Sequence, residues 1–218
     1  MRYTIYENEK KKHREERLDA CADFLIDNIE DFKNDPSVFF ETKKQMRLEI
    51  GCGKGRFITE TAKLNPDVNF IAVEKNADVL VLAVEKAKNE KLTNVKFVRG
   101  DAEMMRDALP KTKFDVIYIN FCDPWHKSGH AKRRLTHKNY LDIWKNLISE
   151  NGGIHFKTDN KALFEFSLNS FSDYGMRLKN ITLDLHNSNF EGNVMTEYEE
   201  LFSSKGNPIY RCEAYYRI

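Results

Sequence analysis

From Gln45 onward the chain alternates short apolar runs with windows of helical periodicity, and this constrains its fold more than any other feature. The apolar runs lie at 46–50, 68–74, 95–99, 114–121 and 153–158. Between them, 56–64, 77–90, 138–148 and 161–174 carry apolar residues at helical spacing. Strands that are apolar along their whole length are buried on both faces. The pattern therefore predicts an α/β fold, a mostly parallel sheet with helices on both faces. After Tyr174 the alternation stops. Residues 178–186 and 209–218 read as two closing strands, an antiparallel pair at one edge, joined by a polar loop over 187–208.

The 218 residues suffice for one domain with a core and a short appendage. The appendage is residues 1–35 and the main domain 36–218. The arm interleaves Lys10, Lys11, Lys12, Arg14 and Arg17 with glutamates, and Leu18, Cys21, Ala22, Leu25, Ile29 and Phe32 predict one amphipathic helix over 14–32. Asn34-Asp35-Pro36-Ser37 ends it. The net charge of +1 gives no global case for a nucleic-acid partner, so any such case rests on local clustering. The four cysteines form no C-x-x-C pair, which speaks against a zinc site or disulfide framework and for a reducing compartment. The N-terminus has no apolar leader and no stretch is long enough to span a bilayer, so the cytoplasm is the expected location, with no membrane partner.

Two segments carry chemistry. The first is Leu48-Glu49-Ile50-Gly51-Cys52-Gly53-Lys54-Gly55, a strand running through glycines into a helix. Such a turn lets a ligand approach the backbone closely. Arg56 stands where a dinucleotide fingerprint would place its third glycine, so the pattern is G-x-G-x-G. Glu74 ends the next strand, where ribose hydroxyls are bound in nucleoside-binding sheets, and Asp101 ends the third, where an acid can accept from an adenine amino group. The second segment is Asp123-Pro124-Trp125-His126-Lys127-Ser128-Gly129-His130-Ala131-Lys132-Arg133-Arg134, at the end of the fourth strand. No acid appears from Pro124 to Leu141. A carboxylate beside a ligand crevice, rimmed by cations, suggests chemistry on a polyanion. His126 and His130 have a metal pair's spacing, but Pro124 and Gly129 disfavour a helix and no third ligand is evident, so no metal is expected. Trp125 reads equally well as packing against the sheet.

With the glycine turn, Glu74 and Asp101 in place, residues 45–218 resemble the class I S-adenosylmethionine-dependent methyltransferases. That resemblance implies a Rossmann-like, seven-stranded, mostly parallel sheet with an antiparallel final strand, and S-adenosylmethionine as cofactor. It implies that Glu49, Gly51, Gly53 and Gly55 line the methionine end, that Glu74 holds the ribose, and that Asp101 with Ala102 holds the adenine. The string Asp-Pro-Trp-His-Lys with a following His and paired Arg is similar to the bacterial tRNA (guanine-N7)-methyltransferases. Lys157-Thr158-Asp159 and Thr196-Glu197-Tyr198-Glu199 extend the likeness.

The narrower resemblance implies methyl transfer to N7 of guanosine 46 in the tRNA variable loop. Asp123 would touch both cofactor and base as the catalytic residue. Lys127, Asp159, Thr196, Glu197, Tyr198 and Glu199 would bind the substrate. Gly129, His130, Ala131, Lys132, Arg133 and Arg134, with Arg14 and Arg17 from the arm, would contact RNA. The family includes single-chain and dimeric members, so monomer and homodimer both stay open. Ser128-Gly129 departs from the family, which often carries Lys or Arg there. Asp123-Pro124-Trp125 also leaves open an amino-group methyltransferase acting on another base or on protein, and a cofactor-binding RNA module without turnover is the non-enzymatic alternative.

Overall fold

The computed structural model describes residues 2–216. Seven strands form one sheet in the order β3-β2-β1-β4-β5-β7-β6. They are β1 (Gln45–Ile50), β2 (Val68–Glu74), β3 (Val95–Arg99), β4 (Phe114–Asn120), β5 (Ile148–Thr158), β6 (Arg177–Thr182) and β7 (Tyr210–Tyr215). The first five pair in parallel, and β7 runs antiparallel between β5 and β6. The expected final strand over 209–218 is observed as β7; residues 217 and 218 lie outside the described residues.

Burial on both faces explains the apolar strands. Leu48, Ile71, Val73, Ile117 and Ile119 point into one core with the helices α5 (Lys138–Leu147) and α6 (Lys161–Asp173). Phe70, Ala72, Val116 and Tyr118 point into the other with α3 (Arg56–Leu64) and α4 (Ala77–Asn89). Leu48, Ile71, Leu80, Ile117 and Trp144 have no exposed surface.

Two expectations are corrected. The single helix over 14–32 is instead α1 (Arg2–Asp19), one 3-10 turn at Ala22–Phe24 and α2 (Ile29–Asn34). Between them the chain pairs with the open edge of β3: Leu25 bridges Phe97, and Ile26 N donates to Phe97 O at 2.8 Å. Covering a bare sheet edge outweighs helical propensity here. Asn28 then caps α2, its side chain accepting from Glu30 N and Asp31 N. The polar loop over 187–208 contains a further helix, α7 (Glu197–Ser203). Its cap is Thr196, whose Oγ1 accepts from Glu199 N at 2.9 Å.

Residues 18–32 pack on both faces of the sheet. Leu18 and Cys21 enter the core under α4, and Ile26 and Phe32 enter the core on the opposite face.

Candidate active site

The glycine turn joins β1 to α3. Gly51, Gly53 and Gly55 all have positive φ, at 77°, 57° and 83°. Nothing lies within 4 Å of where a Cβ on Gly53 would stand, so the turn presents bare backbone to open space. At Gly55 a Cβ would fall 2.6 Å from Ala83 Cβ, because α3 and α4 meet there. The three glycines thus divide between an open ligand face and a close helix contact.

Four carboxylates stand around this turn or at neighbouring strand ends. Glu74 Oε2 accepts from Gly53 N at 3.0 Å and Oε1 from Asn76 N at 2.8 Å, which ties β2 to the glycines. Asp101 caps the 3-10 turn Ala102–Met105, accepting from Glu103 N at 2.9 Å; Asp101 is exposed and Ala102 buried. Glu49 is 1% exposed. Its Oε1 accepts from Asn120 Nδ2 at 3.0 Å, and its buried Oε2 has no hydrogen-bond partner. Burial pushes the Glu49 carboxyl up to about 8, against the Asn120 bond and the nearby Lys157, which both act downward. Asp123 is exposed at the end of β4, 3.7 Å from Lys75 Nζ.

Asp123 sits between two aromatic residues in the left-handed region, Phe121 (φ 51°) and Trp125 (φ 43°). Each such residue costs about 1–3 kcal/mol and persists only where its surroundings hold it. Phe121 N donates to Lys157 O at 2.9 Å. On the other side, Arg134 donates from Nε to Pro124 O at 3.0 Å and from a terminal nitrogen to Trp125 O at 3.1 Å. Asp123, Pro124, Trp125, His126, Lys127 and His130 line an open hollow beside this turn. The basic stretch continues as a 3-10 segment, Ser128–Arg133. Lys127, Gly129, Lys132 and Arg133 are exposed, while His130, Ala131 and Arg134 are half-buried. Arg133 lies over the Trp125 ring at 4.9 Å, and His130 meets that ring edge-on.

The opposite wall comes from β5 and α7. Lys157 and Glu199, 5% and 0% exposed, form an ion pair at 2.6 Å. Lys157 Nζ also donates to Val194 O at 2.8 Å and Asn193 Oδ1 at 3.1 Å. Glu199 Oε1 accepts from Asn193 Nδ2 at 2.5 Å and lies 3.1 Å from His186 Nε2. A buried charge pair held this fully fixes the segment that carries it. Glu197 accepts from Arg56 N, the first amide of α3, at 3.3 Å and from Lys86 Nζ at 3.2 Å. Glu200 pairs with the Arg56 side chain at 2.5 Å. Helix α7 is therefore fastened beside the glycine turn by its acids. Tyr198 is 57% exposed and stacks on Phe202, which stacks in turn on Phe121. Asp159 is half-buried at the end of β5.

A family described as "Putative methyltransferase" matches residues 43–212. The tRNA (guanine-N(7)-)-methyltransferase of Bacillus cytotoxicus is 47% identical over 207 residues, 95% of this chain and 95% of that protein. Its namesake in Streptococcus uberis is 46% identical over 95% of this chain and 98% of its own. The chain belongs to the tRNA (guanine-N7)-methyltransferase family. The fold extends more widely: the 16S rRNA methyltransferase KamB superposes with a TM-score of 0.59 at 13% identity, covering 80% of this chain and 89% of that one.

The chain shares the Rossmann-like fold of these enzymes, and its residues fit the family's cofactor. S-adenosylmethionine carries an amino-acid tail with an ammonium group, a sulfonium, a ribose and an adenine. The partnerless, buried Glu49 Oε2 offers an acceptor to the ammonium. The open face at Gly53 admits a ligand to the backbone, and Glu74 stands behind it. Asp101 is exposed at the end of β3, with Ala102 buried beside it, and its carboxylate is an acceptor of the kind an adenine amino group needs.

Several residues of this family member's site have no strong sequence signal. Asn120 reads simply as a strand residue, Lys157 is marked only by its place in the Lys157-Thr158-Asp159 string, and Arg56, Lys86, His186 and Asn193 carry no motif. Helix α7 did have one: Thr196 followed by Glu199 is the sequence pattern of a capping box, of which only the Thr196 half forms, Glu199 turning inward to Lys157. From the arm, Arg14 pairs with Glu15 and Asp78, and Arg17 forms a two-pronged pair with Glu85. Both guanidinium groups pair with α4, which supplies Asp78 and Glu85. Among the described residues, no cluster of three or more His, Cys, Asp or Glu is arranged to hold a metal, and no helix is long and apolar enough to cross a membrane.

Proposed function

We propose that this protein methylates N7 of guanosine in tRNA, at guanosine 46 of the variable loop, with S-adenosylmethionine as the donor. The observation that carries the reading is the 47% identity, over 95% of both chains, to a tRNA (guanine-N(7)-)-methyltransferase.

Guanine N7 has a lone pair that is not tied to a proton, so the reaction needs no general base. When bound, S-adenosylmethionine supplies a methyl group on a cationic sulfur, open to direct attack by nitrogen. The protein's work is placement and electrostatics. Asp123, on its held turn, stands at the edge between the cofactor residues and the hollow. Its carboxylate stabilises positive charge as it moves onto the purine. Guanine's N1–H and N2–H₂ donors face away from N7, and Asp159 accepts them from the β5 side. Glu199 has no exposed surface and its two oxygens are committed to Lys157, Asn193 and His186, so its part is to fix the wall against which the base lies. Thr196, Glu197 and Tyr198 shape that wall, with Tyr198 offering an exposed ring. Lys127, Lys132 and Arg133 supply phosphate contacts, with Gly129, His130 and Ala131 in the backbone that presents them. Arg14 and Arg17 steady α1, whose exposed Lys10, Lys11 and Lys12 add positive charge. The substrate places the reaction in the cytoplasm.

The test uses unmodified tRNA transcripts and labelled methyl donor. A transcript with guanosine 46 is expected to take up label, and one with adenosine at that position to take up none. Equal labelling of both would overturn the positional reading.

A further inference from the structure

Arg134 belongs to the basic stretch by sequence, yet its surroundings separate it from the other cations. Its Nε and one terminal nitrogen donate to Pro124 O and Trp125 O at 3.0 and 3.1 Å. Its guanidinium lies 4.3 Å from the centre of the Phe166 ring on α6. Two of its donors and one face are therefore occupied within the chain. Arg133, which lies over the Trp125 ring, and Lys132 are exposed, and the carbonyl bonds at this turn come from Arg134. The carbonyls that Arg134 holds bracket Trp125, whose φ of 43° is unusual for so large a side chain. Asp123 lies two residues before Trp125.

We propose that Arg134 is a positioning residue for the reaction rather than a phosphate contact: it locks the Pro124–Trp125 backbone and thereby fixes where Asp123 stands. The phosphate contacts of this stretch then fall to Lys127, Lys132 and Arg133. A planar fork suits this duty, because two parallel donors meet two carbonyls whose spacing a single ammonium cannot match. Phe166 holds the plane of the fork from behind. The proposal rests on Asp123 being in the reaction centre, so Asp123→Ala is the control for that reading.

The experiment measures kcat, KM for tRNA, and the salt dependence of tRNA binding for the wild type, Arg134→Ala, Arg134→Lys and Arg133→Ala. Arg134→Ala is expected to lose kcat by about tenfold or more, with the salt slope unchanged. Arg134→Lys is expected to stay low in kcat, since its charge is kept but its fork is lost. Arg133→Ala is expected to raise KM and to lower the salt slope by about one phosphate contact. Wild-type kcat in Arg134→Ala, or a reduced salt slope, would overturn the proposal, as would full rescue by lysine. If Arg134→Ala does not fold, Arg134→Lys decides by the same two readouts. If Asp123→Ala keeps its activity, the placing of the reaction centre has failed, whereas a dead Asp123→Ala beside an unimpaired Arg134→Ala faults the proposal alone.

Discussion

At the scale of the residue, Glu49 is the group whose chemistry its surroundings change most. Burial raises its carboxyl to about 8, so the ligand-free protein holds a proton there at neutral pH. A cationic ligand at the partnerless Oε2 reverses that preference. Cofactor binding near pH 7 is therefore expected to release about one proton, read by calorimetry in buffers of different ionisation enthalpy. Glu49→Gln should bind more weakly and release none; unchanged proton release in that variant would place the titrating group elsewhere. The linkage sign also bears on stability. A carboxyl raised in the folded state stabilises fully at pH below about 4.5, and that contribution is lost as pH rises towards 8. Glu49 and Asp123 were both legible in the sequence from their places at strand ends. What was not legible is that Glu49 faces an interior of its own, because Asn120 and Lys157 come to it from two other strands.

At the scale of the element, the glycine turn shows that one motif serves two needs. Gly55→Ala would drive a Cβ into Ala83 and strain a φ of 83°, and should destabilise the fold by about 2–4 kcal/mol. Gly53→Ala meets no atom and strains only φ, at about 1–2 kcal/mol, but it blocks the ligand face. Urea unfolding and cofactor titration together check this. Gly55→Ala should be the more destabilised, and Gly53→Ala the more impaired in binding; the reverse order would contradict the division of roles. Helix α7 and the broken arm were the elements that periodicity misread. In α7, seven residues are too few for a periodic signal, and the capping threonine was the only local mark. In the arm, the apolar spacing from Leu18 to Phe32 suits a helix. The same apolar residues serve as well when Leu25 closes the edge of β3 and Ile26 and Phe32 fill the far core.

At the scale of the whole molecule, the sheet order explains why distant segments form one site. Strands β2 and β3 lie to one side of β1, while β4 and β5 lie to the other. The order in which strands are added to the sheet reverses between β1 and β4, which run parallel, and crevices of open α/β sheets form at such a point, beyond the strands' C-terminal ends. Glu49 in β1, Glu74 ending β2, Asp101 after β3, Asp123 after β4 and Asp159 after β5 all follow from that rule. The parallel core was legible because buried strands are apolar on both faces. The closing of α7 over the glycine turn was not, since it depends on ion pairs between residues as far apart as Arg56 and Glu200. On the proposed reading, this crevice directs a methyl group to a ring nitrogen that has no proton to lose. The most direct measurement is the identity of the methylated nucleoside after the protein acts on an unmodified tRNA transcript with labelled S-adenosylmethionine. The expected result is 7-methylguanosine as the sole labelled nucleoside, and a nucleoside methylated on an exocyclic amine would contradict the account.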